Sequence, residues 1–174
     1  VKNTDILGTG AYGSSNNDGL ANITGIVGYS GGQIECTDCD VNNCTFTGYQ
    51  AANIAGISGA HSGDSTIIDN CTVTNCTMDN WTDMASRGSN CSVAGLGAVA
   101  GRVNVTNSSV ENCTLKTRSS CTGGIVAVAT SSGDCVLDNL SVKGLDIIDT
   151  GHNCRPNYSN STEVSMRSIG GIAG

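Results

Sequence analysis

Cysteine and asparagine are the residues whose number and spacing imply chemistry in this chain. Ten cysteines stand against two histidines in 174 residues. That balance suits disulfides better than metal, and the even count fits an oxidising compartment. All ten are expected to pair: Cys36, Cys39, Cys44, Cys71, Cys76, Cys91, Cys113, Cys121, Cys135 and Cys154. Asparagine makes a second, independent pattern. Eighteen Asn and 38 Ser plus Thr would produce about four Asn-x-Ser/Thr triplets by chance. The chain has twelve, beginning at Asn22, Asn43, Asn70, Asn75, Asn80, Asn90, Asn104, Asn107, Asn112, Asn139, Asn157 and Asn160. The expected carriers of N-linked glycans are Asn22, Asn80, Asn90, Asn104, Asn157 and Asn160. Both patterns imply a secreted or cell-surface, extracellular chain.

Catalytic constellations are harder to build. Glycoside chemistry needs two acids converging on a cleft, whereas Asp38, Asp40, Asp69, Asp138 and Asp146 are scattered over outward or corner positions. His61 and His152 lie in Gly/Ser/Asn-rich loops with no cysteine nucleophile or carboxylate at a recognisable spacing. The pair Cys36 and Cys39, and the doubled C-x4-C of Cys39, Cys44, Cys71 and Cys76, lack the paired short spacing of zinc modules. "SSNNDG" at 14 to 19 is accounted for by turn chemistry. No catalytic residue, cofactor or metal ligand is expected.

The bulk numbers narrow the classes further. The net charge of -7 comes from scattered acids, and the eight Lys and Arg form no patch, so nucleic acid and anionic membrane surfaces are not expected partners. No apolar run approaches the roughly 20 residues of a membrane span, so membrane insertion is not expected either. Aromatics at 3% and a single Pro call for a narrow interior of small aliphatic side chains. The opening Val1, with no Met or signal peptide, is read as a mature product or a fragment.

The elements that must position these residues come from a repeat. "CDVNNCTF" (39 to 46), "CTVTNCTM" (71 to 78), "SSVENCTL" (108 to 115) and "LSVKGLDI" (140 to 147) align without gaps. Their shared columns are Cys39, Cys71, Ser108 and Leu140; then Val41, Val73, Val110 and Val142; then Cys44, Cys76, Cys113 and Leu145; then Phe46, Met78, Leu115 and Ile147. Three residues upstream of each block stand Cys36, Ile68, Val105 and Leu137. Steps of two are strand alternation, and the step of three inserts two consecutive polar residues, as a corner requires. A coil of this kind cannot bury its own apolar face, but stacked coils can. The fold expected is a single all-β domain over 1-174, a right-handed parallel β-helix of three-stranded coils. The coils run approximately 1-18 (partial), 19-50, 51-91, 92-120, 121-164 and 165-174 (partial). In-register cysteines of one column would be rung-to-rung partners, with Cys39 and Cys71 the preferred pair and Cys76 bonded to either Cys44 or Cys113. Cys91, Cys121, Cys135 and Cys154 pair among themselves. The corner asparagines Asn43, Asn75 and Asn112 have two readings, a hydrogen-bonded ladder along the axis or glycan acceptors.

Upstream of the blocks lie "GIVG" (25 to 28), "GISG" (56 to 59), "GAVAG" (97 to 101), "GIVA" (124 to 127) and "GIAG" (171 to 174), read as a further strand. In these segments the chain resembles the GLUG-type repeats of secreted and cell-surface β-solenoid proteins. The resemblance implies a surface or adhesin-like role. Parallel β-helices also include polysaccharide-active enzymes, and "NTD" at 3 to 5 is similar to one polygalacturonase signature, but "GHN" (151 to 153) stands in place of Gly-His-Gly. The ends carry the preferred expectation. "VKNTDILGT" (1 to 9) aligns with "VKGLDIIDT" (142 to 150), and "SIGGIAG" (168 to 174) opens another coil. Half-coils at both ends suggest a structural fibre subunit stacking head to tail on itself, or adjoining repeats of a longer chain. The alternative is an adhesin or glycan-binding module.

Overall fold

The computed structural model describes residues 1–8, 21–49, 52–61, 65–81, 92–100, 102–117, 121–129, 134–149 and 168–174. Among them the only regular elements are short β-strands, organised in five parallel sheets. Sheet I contains Ala21–Thr24, Ala52–Ala55, Ser92–Ala94, Cys121–Gly123 and Ser168–Gly170. Sheet II contains Val27–Ser30, Ser58–His61, Gly97–Ala100 and Val126–Ala129. Sheet III follows with Ile34–Thr37, Ser65–Asp69, Arg102–Thr106 and Val136–Asp138. Sheet IV holds Asp40–Asn42, Thr72–Thr74, Ser109–Glu111 and Ser141–Lys143. Sheet V holds Asp5–Gly8, Thr45–Tyr49, Thr77–Trp81, Thr114–Thr117 and Asp146–Asp149. The chain visits the sheets in the order I to V and then begins the next coil. This is a parallel β-helix.

Register follows the repeat. Val73 pairs with Val41 on one side and Val110 on the other, and Val110 pairs with Val142. Ile6, Phe46, Met78, Leu115 and Ile147 make the matching column in sheet V. Cys36, Ile68, Val105 and Leu137 make one in sheet III. A one-residue slip would turn each of these columns toward solvent, so burial of one face specifies the register. Val41, Val73 and Val110 are fully buried, as are Phe46, Met78 and Leu115.

One expectation needs correction: each coil has five short strands, not three, and "GIVG", "GISG" and "GIVA" each open on a two-residue bend that leads into a strand, whereas "GAVAG" does begin with the strand Gly97–Ala100. Gly25 and Ile26 link Ala21–Thr24 to Val27–Ser30, and Gly56 and Ile57 do the same one coil later. The glycines sit where rungs touch. A Cβ on Gly56 would lie 2.5 Å from Val73 Cγ2 and 2.6 Å from Gly95 O. The bend presses its backbone against both the valine column and the next coil, so no side chain fits there.

Candidate functional site

The two corners on either side of sheet IV bring together most of the residues that suggested chemistry. Each corner is built from three residues with distinct tasks. The first has a left-handed backbone: φ is 56° at Asp38, 50° at Asn70, 50° at Asn107 and 51° at Asn139 in the corner from sheet III to IV. In the corner from IV to V it is 52° at Asn3, 54° at Asn43 and Asn75, 51° at Asn112 and 57° at Gly144. Apart from glycine, Asn and Asp visit this region at least cost, which explains the residue choice. From Asn3 to Asn112, each of these amide N–H groups finds a carbonyl one rung away, as in Asn75 N to Glu111 O at 3.0 Å and Asn43 N to Thr74 O at 3.0 Å.

The second residue points inward and completes the hydrogen bonding. Cys76 Sγ donates to Thr74 O at 3.1 Å and accepts from Cys44 N at 3.4 Å. Cys113 Sγ donates to Glu111 O at 3.3 Å and accepts from Cys76 N at 3.4 Å. Ser108 occupies a cysteine position and does the same with its hydroxyl, donating to Thr106 O at 2.7 Å and accepting from Cys71 N at 3.0 Å. The buried N–H of the inward residue therefore bonds to a side chain on the next coil, where no carbonyl is offered. A thiol suits the task, being small and apolar enough for the core yet still a weak donor and acceptor. The third residue, Thr45, Thr77 or Thr114 in the second corner, resumes the ladder; Thr77 N donates to Cys44 O at 2.9 Å.

Asn-Cys-Thr thus spells one corner: left-handed, inward, strand. Six of the twelve triplets, at Asn43, Asn70, Asn75, Asn107, Asn112 and Asn139, fall on these left-handed positions. Four of these side chains, those of Asn43, Asn70, Asn107 and Asn139, also donate along the axis. Asn43 Nδ2 donates to Asn3 Oδ1 at 2.8 Å, Asn70 Nδ2 to Asp38 Oδ1 at 2.6 Å, and Asn139 Nδ2 to Asn107 Oδ1 at 2.8 Å. Of the three asparagines with two readings, Asn43 makes such a bond, to Asn3, whereas among the described residues no side-chain bond joins Asn43 to Asn75 or Asn75 to Asn112. Of the expected glycan acceptors, Asn22 and Asn104 are half-buried and Asn80 is 1% exposed. A glycan on Asn80 and this packing exclude one another. Asn90, Asn157 and Asn160 lie outside the described residues, as do Cys91, Cys154 and His152.

Cys36, Cys39, Cys44, Cys71, Cys76 and Cys113 are free thiols in this structure. They form two files, Cys36, Cys39 and Cys71 at the first corner, and Cys44, Cys76 and Cys113 at the second. Burial pushes the Cys71 thiol up to about 12, opposed by a backbone hydrogen bond from Cys39 and aided by the nearby Cys39 and Cys36 thiols. Cys76 is raised chiefly by its hydrogen bond with Cys113, with burial second. Cys121 is half-buried and Cys135 exposed. The carboxylates stay apart: Asp38 is a corner residue, and Asp40, Asp138 and Asp146 are solvent-exposed. Asp69 accepts from Thr106 Oγ1 and, at 2.9 Å, from Asn107 Nδ2, and these two bonds hold its carboxyl below the usual range. Among the described residues no group of three or more His, Cys, Asp or Glu is arranged to hold a metal ion. No described helix is long and apolar enough to cross a membrane.

Comparisons with protein-family models, with curated proteins and with solved structures find no match.

Proposed function

We propose that the chain is a structural module of an extracellular β-solenoid fibre, in which the last coil of one unit stacks head to tail on the first coil of the next. The observation that supports this most directly is the equivalence of the end coils. The isolated bridge between Lys2 and Asn42 puts Val1 in the column of Val41, and Val142 ends the same column. Ile6 and Ile147 bracket the next inward column of sheet V. Either end therefore presents the surface that every internal coil already buries. The large apolar side chains that are exposed among the described residues belong to these ends: Val1, Leu7, Ile26 and Tyr29 in the first coil, and Val136, Leu137, Ile148, Ile169 and Ile172 in the last. Between them the described strands of sheets III and IV offer a largely polar outer face of Thr, Ser, Asn and Asp, and in sheet V Trp81 stands in register with Tyr49 of the neighbouring coil. The fibre reading rests on the end coils and not on that face, and no catalytic role is proposed.

Sedimentation of the 174-residue chain over a wide concentration range, with electron microscopy, tests the reading. Growth into filaments that is abolished by Leu137→Lys with Val142→Lys supports it. A monomer at every concentration, with intact strand content by circular dichroism, counts against it. In native material, a peptide running from Gly174 into a further coil would assign the same stacking to one longer chain.

A further inference from the structure

Cys36, Cys39 and Cys71 form a contact cluster at the corner from sheet III to sheet IV. Cys39 Sγ donates to Thr37 O at 3.4 Å, and Cys71 Sγ donates to Cys36 O at 3.4 Å, so the three residues meet at one corner. Asp40 pairs with Thr72, so the residues just before them, Cys39 and Cys71, are direct neighbours on adjacent coils. The strand spacing of roughly 4.8 Å lies inside the Cα range for a disulfide. Access separates the three thiols. Cys36 and Cys71 are 4% and 0% exposed, whereas Cys39 is only half-buried.

We propose that Cys39 is a thiol–disulfide exchange site, modified first by small-molecule disulfides such as oxidised glutathione, and that Cys71 resolves the adduct into a staple between two coils. In the first step the Cys39 thiolate attacks one sulfur of glutathione disulfide. A Cys39–glutathione S–S bond forms, the glutathione S–S bond breaks, and one glutathione leaves as a thiolate that takes up the proton Cys39 lost. In the second step the Cys71 sulfur, giving up its proton, attacks the Cys39 sulfur. The Cys39–Cys71 bond forms and the second glutathione departs with that proton. Two protein thiols lose two electrons, and one disulfide is reduced to two thiols. Burial raises both Cys36 and Cys71, which leaves the half-exposed Cys39 as the thiol able to begin exchange. Cys71 is the resolving partner because the ladder already holds it in register. Cys36 connects to Cys39 through the left-handed corner at Asp38, whose N–H is fixed to Asp69 O at 3.1 Å, so closing that pair would deform the corner. The site rests on the coil geometry and not on the fibre reading.

The test is a time course of the reduced 174-residue chain in oxidised glutathione, quenched by alkylation and mapped by mass spectrometry without reduction. Among the six corner and core thiols, the adduct is expected first on Cys39, followed by a linked Cys39–Cys71 peptide. Cys71→Ser should raise the Cys39 adduct several-fold, and Cys36→Ser should leave the linked product unchanged. Adducts on Cys44, Cys76 or Cys113 as early as on Cys39 would overturn the proposal. So would a Cys36–Cys39 product, or no reaction of the folded chain under conditions that fully modify the urea-unfolded one. The wild-type time course decides the order of reaction even if a variant fails to fold.

Discussion

Replacing Cys76 by serine and, separately, by alanine distinguishes a hydrogen-bonding thiol from a cross-linking one. The Cys76 side chain is 1% exposed, gives its S–H to Thr74 O and receives the N–H of Cys44. Alanine deletes both bonds. The Cys44 N–H is then buried without an acceptor, at about 1–3 kcal/mol, and loss of the buried sulfur adds about 1 kcal/mol. The expected cost of Cys76→Ala is about 2–4 kcal/mol. Serine keeps a donor and an acceptor at the same position, as Ser108 does for Cys71 N at 3.0 Å, so Cys76→Ser should cost less than about 1 kcal/mol. A disulfide from Cys76 to Cys44 or Cys113 would give the opposite pattern. Both substitutions would then remove the same cross-link, typically worth about 2–4 kcal/mol, and fall together. Urea unfolding followed by circular dichroism, with and without reductant, gives the midpoints. Because stacked coils unfold through nearest-neighbour coupling, whole curves should be compared. Serine as damaging as alanine in reductant would refute the hydrogen-bonding role.

Three further outcomes follow from the same geometry. Gly56→Ala must push a methyl against Val73 Cγ2 at 2.5 Å and Gly95 O at 2.6 Å, so it should cost several kcal/mol, about as much as severe overpacking; Gly32→Ala, with nothing within 4 Å, should stay within about 0.5 kcal/mol by urea midpoint. Asn75→Ala has to hold a φ of 54° with a β-carbon, at about 1–2 kcal/mol, whereas Asn75→Gly should be nearly neutral, as Gly144 already fills the equivalent corner. Base should weaken the fold through Cys71: its folded value near 12 lies above the ordinary 9.0, so the unfolded chain loses its proton first. Stability is then flat below about pH 9 and falls by about 1.4 kcal/mol per pH unit above it until the folded thiol ionises. Urea midpoints at about pH 8 and pH 10 should diverge less in Cys71→Ser than in the wild type.

The buried columns were legible in the sequence because each is nearly uniform in character. Four valines at one spacing can share a register only if they stack, and strand alternation fixes which way Phe46, Met78 and Leu115 point. The step of three between Val73 and Cys76 announced a corner, and the structure has one there. The number of strands per coil was not legible. Gly56 and Ile57 bend the chain because two backbones and a valine leave no space for a Cβ, and a glycine in a short apolar run looks the same whether it lies within a strand or between two. The backbone role of the corner asparagines had a signal that could have been weighed more heavily. At the two corners where Asn gives way, the replacements are Asp38 and Gly144, both tolerant of positive φ, whereas a glycan acceptor has no reason to alternate with glycine.

That substitution pattern changes what the two composition signals mean. Asn-x-Ser/Thr enrichment and cysteine enrichment look like separate signs of a secretory pathway, but at these corners they are one feature counted twice. The left-handed turn selects Asn, the inward position selects a small side chain that can donate and accept, and the following strand selects Thr. Six triplets and Cys39, Cys44, Cys71, Cys76 and Cys113 arise from that single requirement. Seven of the eighteen asparagines are seen to hold a positive φ, and the other eleven begin six triplets, against about two expected by chance. The argument for glycosylation therefore belongs to those six. Within them Asn80 is sealed in the core, and Asn22 and Asn104 are half-buried, so the weight passes to Asn90, Asn157 and Asn160, which lie outside the described residues. By the same reasoning, disulfides outside the corners would be more informative about compartment than any in the files, because Cys121 and Cys135 do not follow one of the left-handed corner residues.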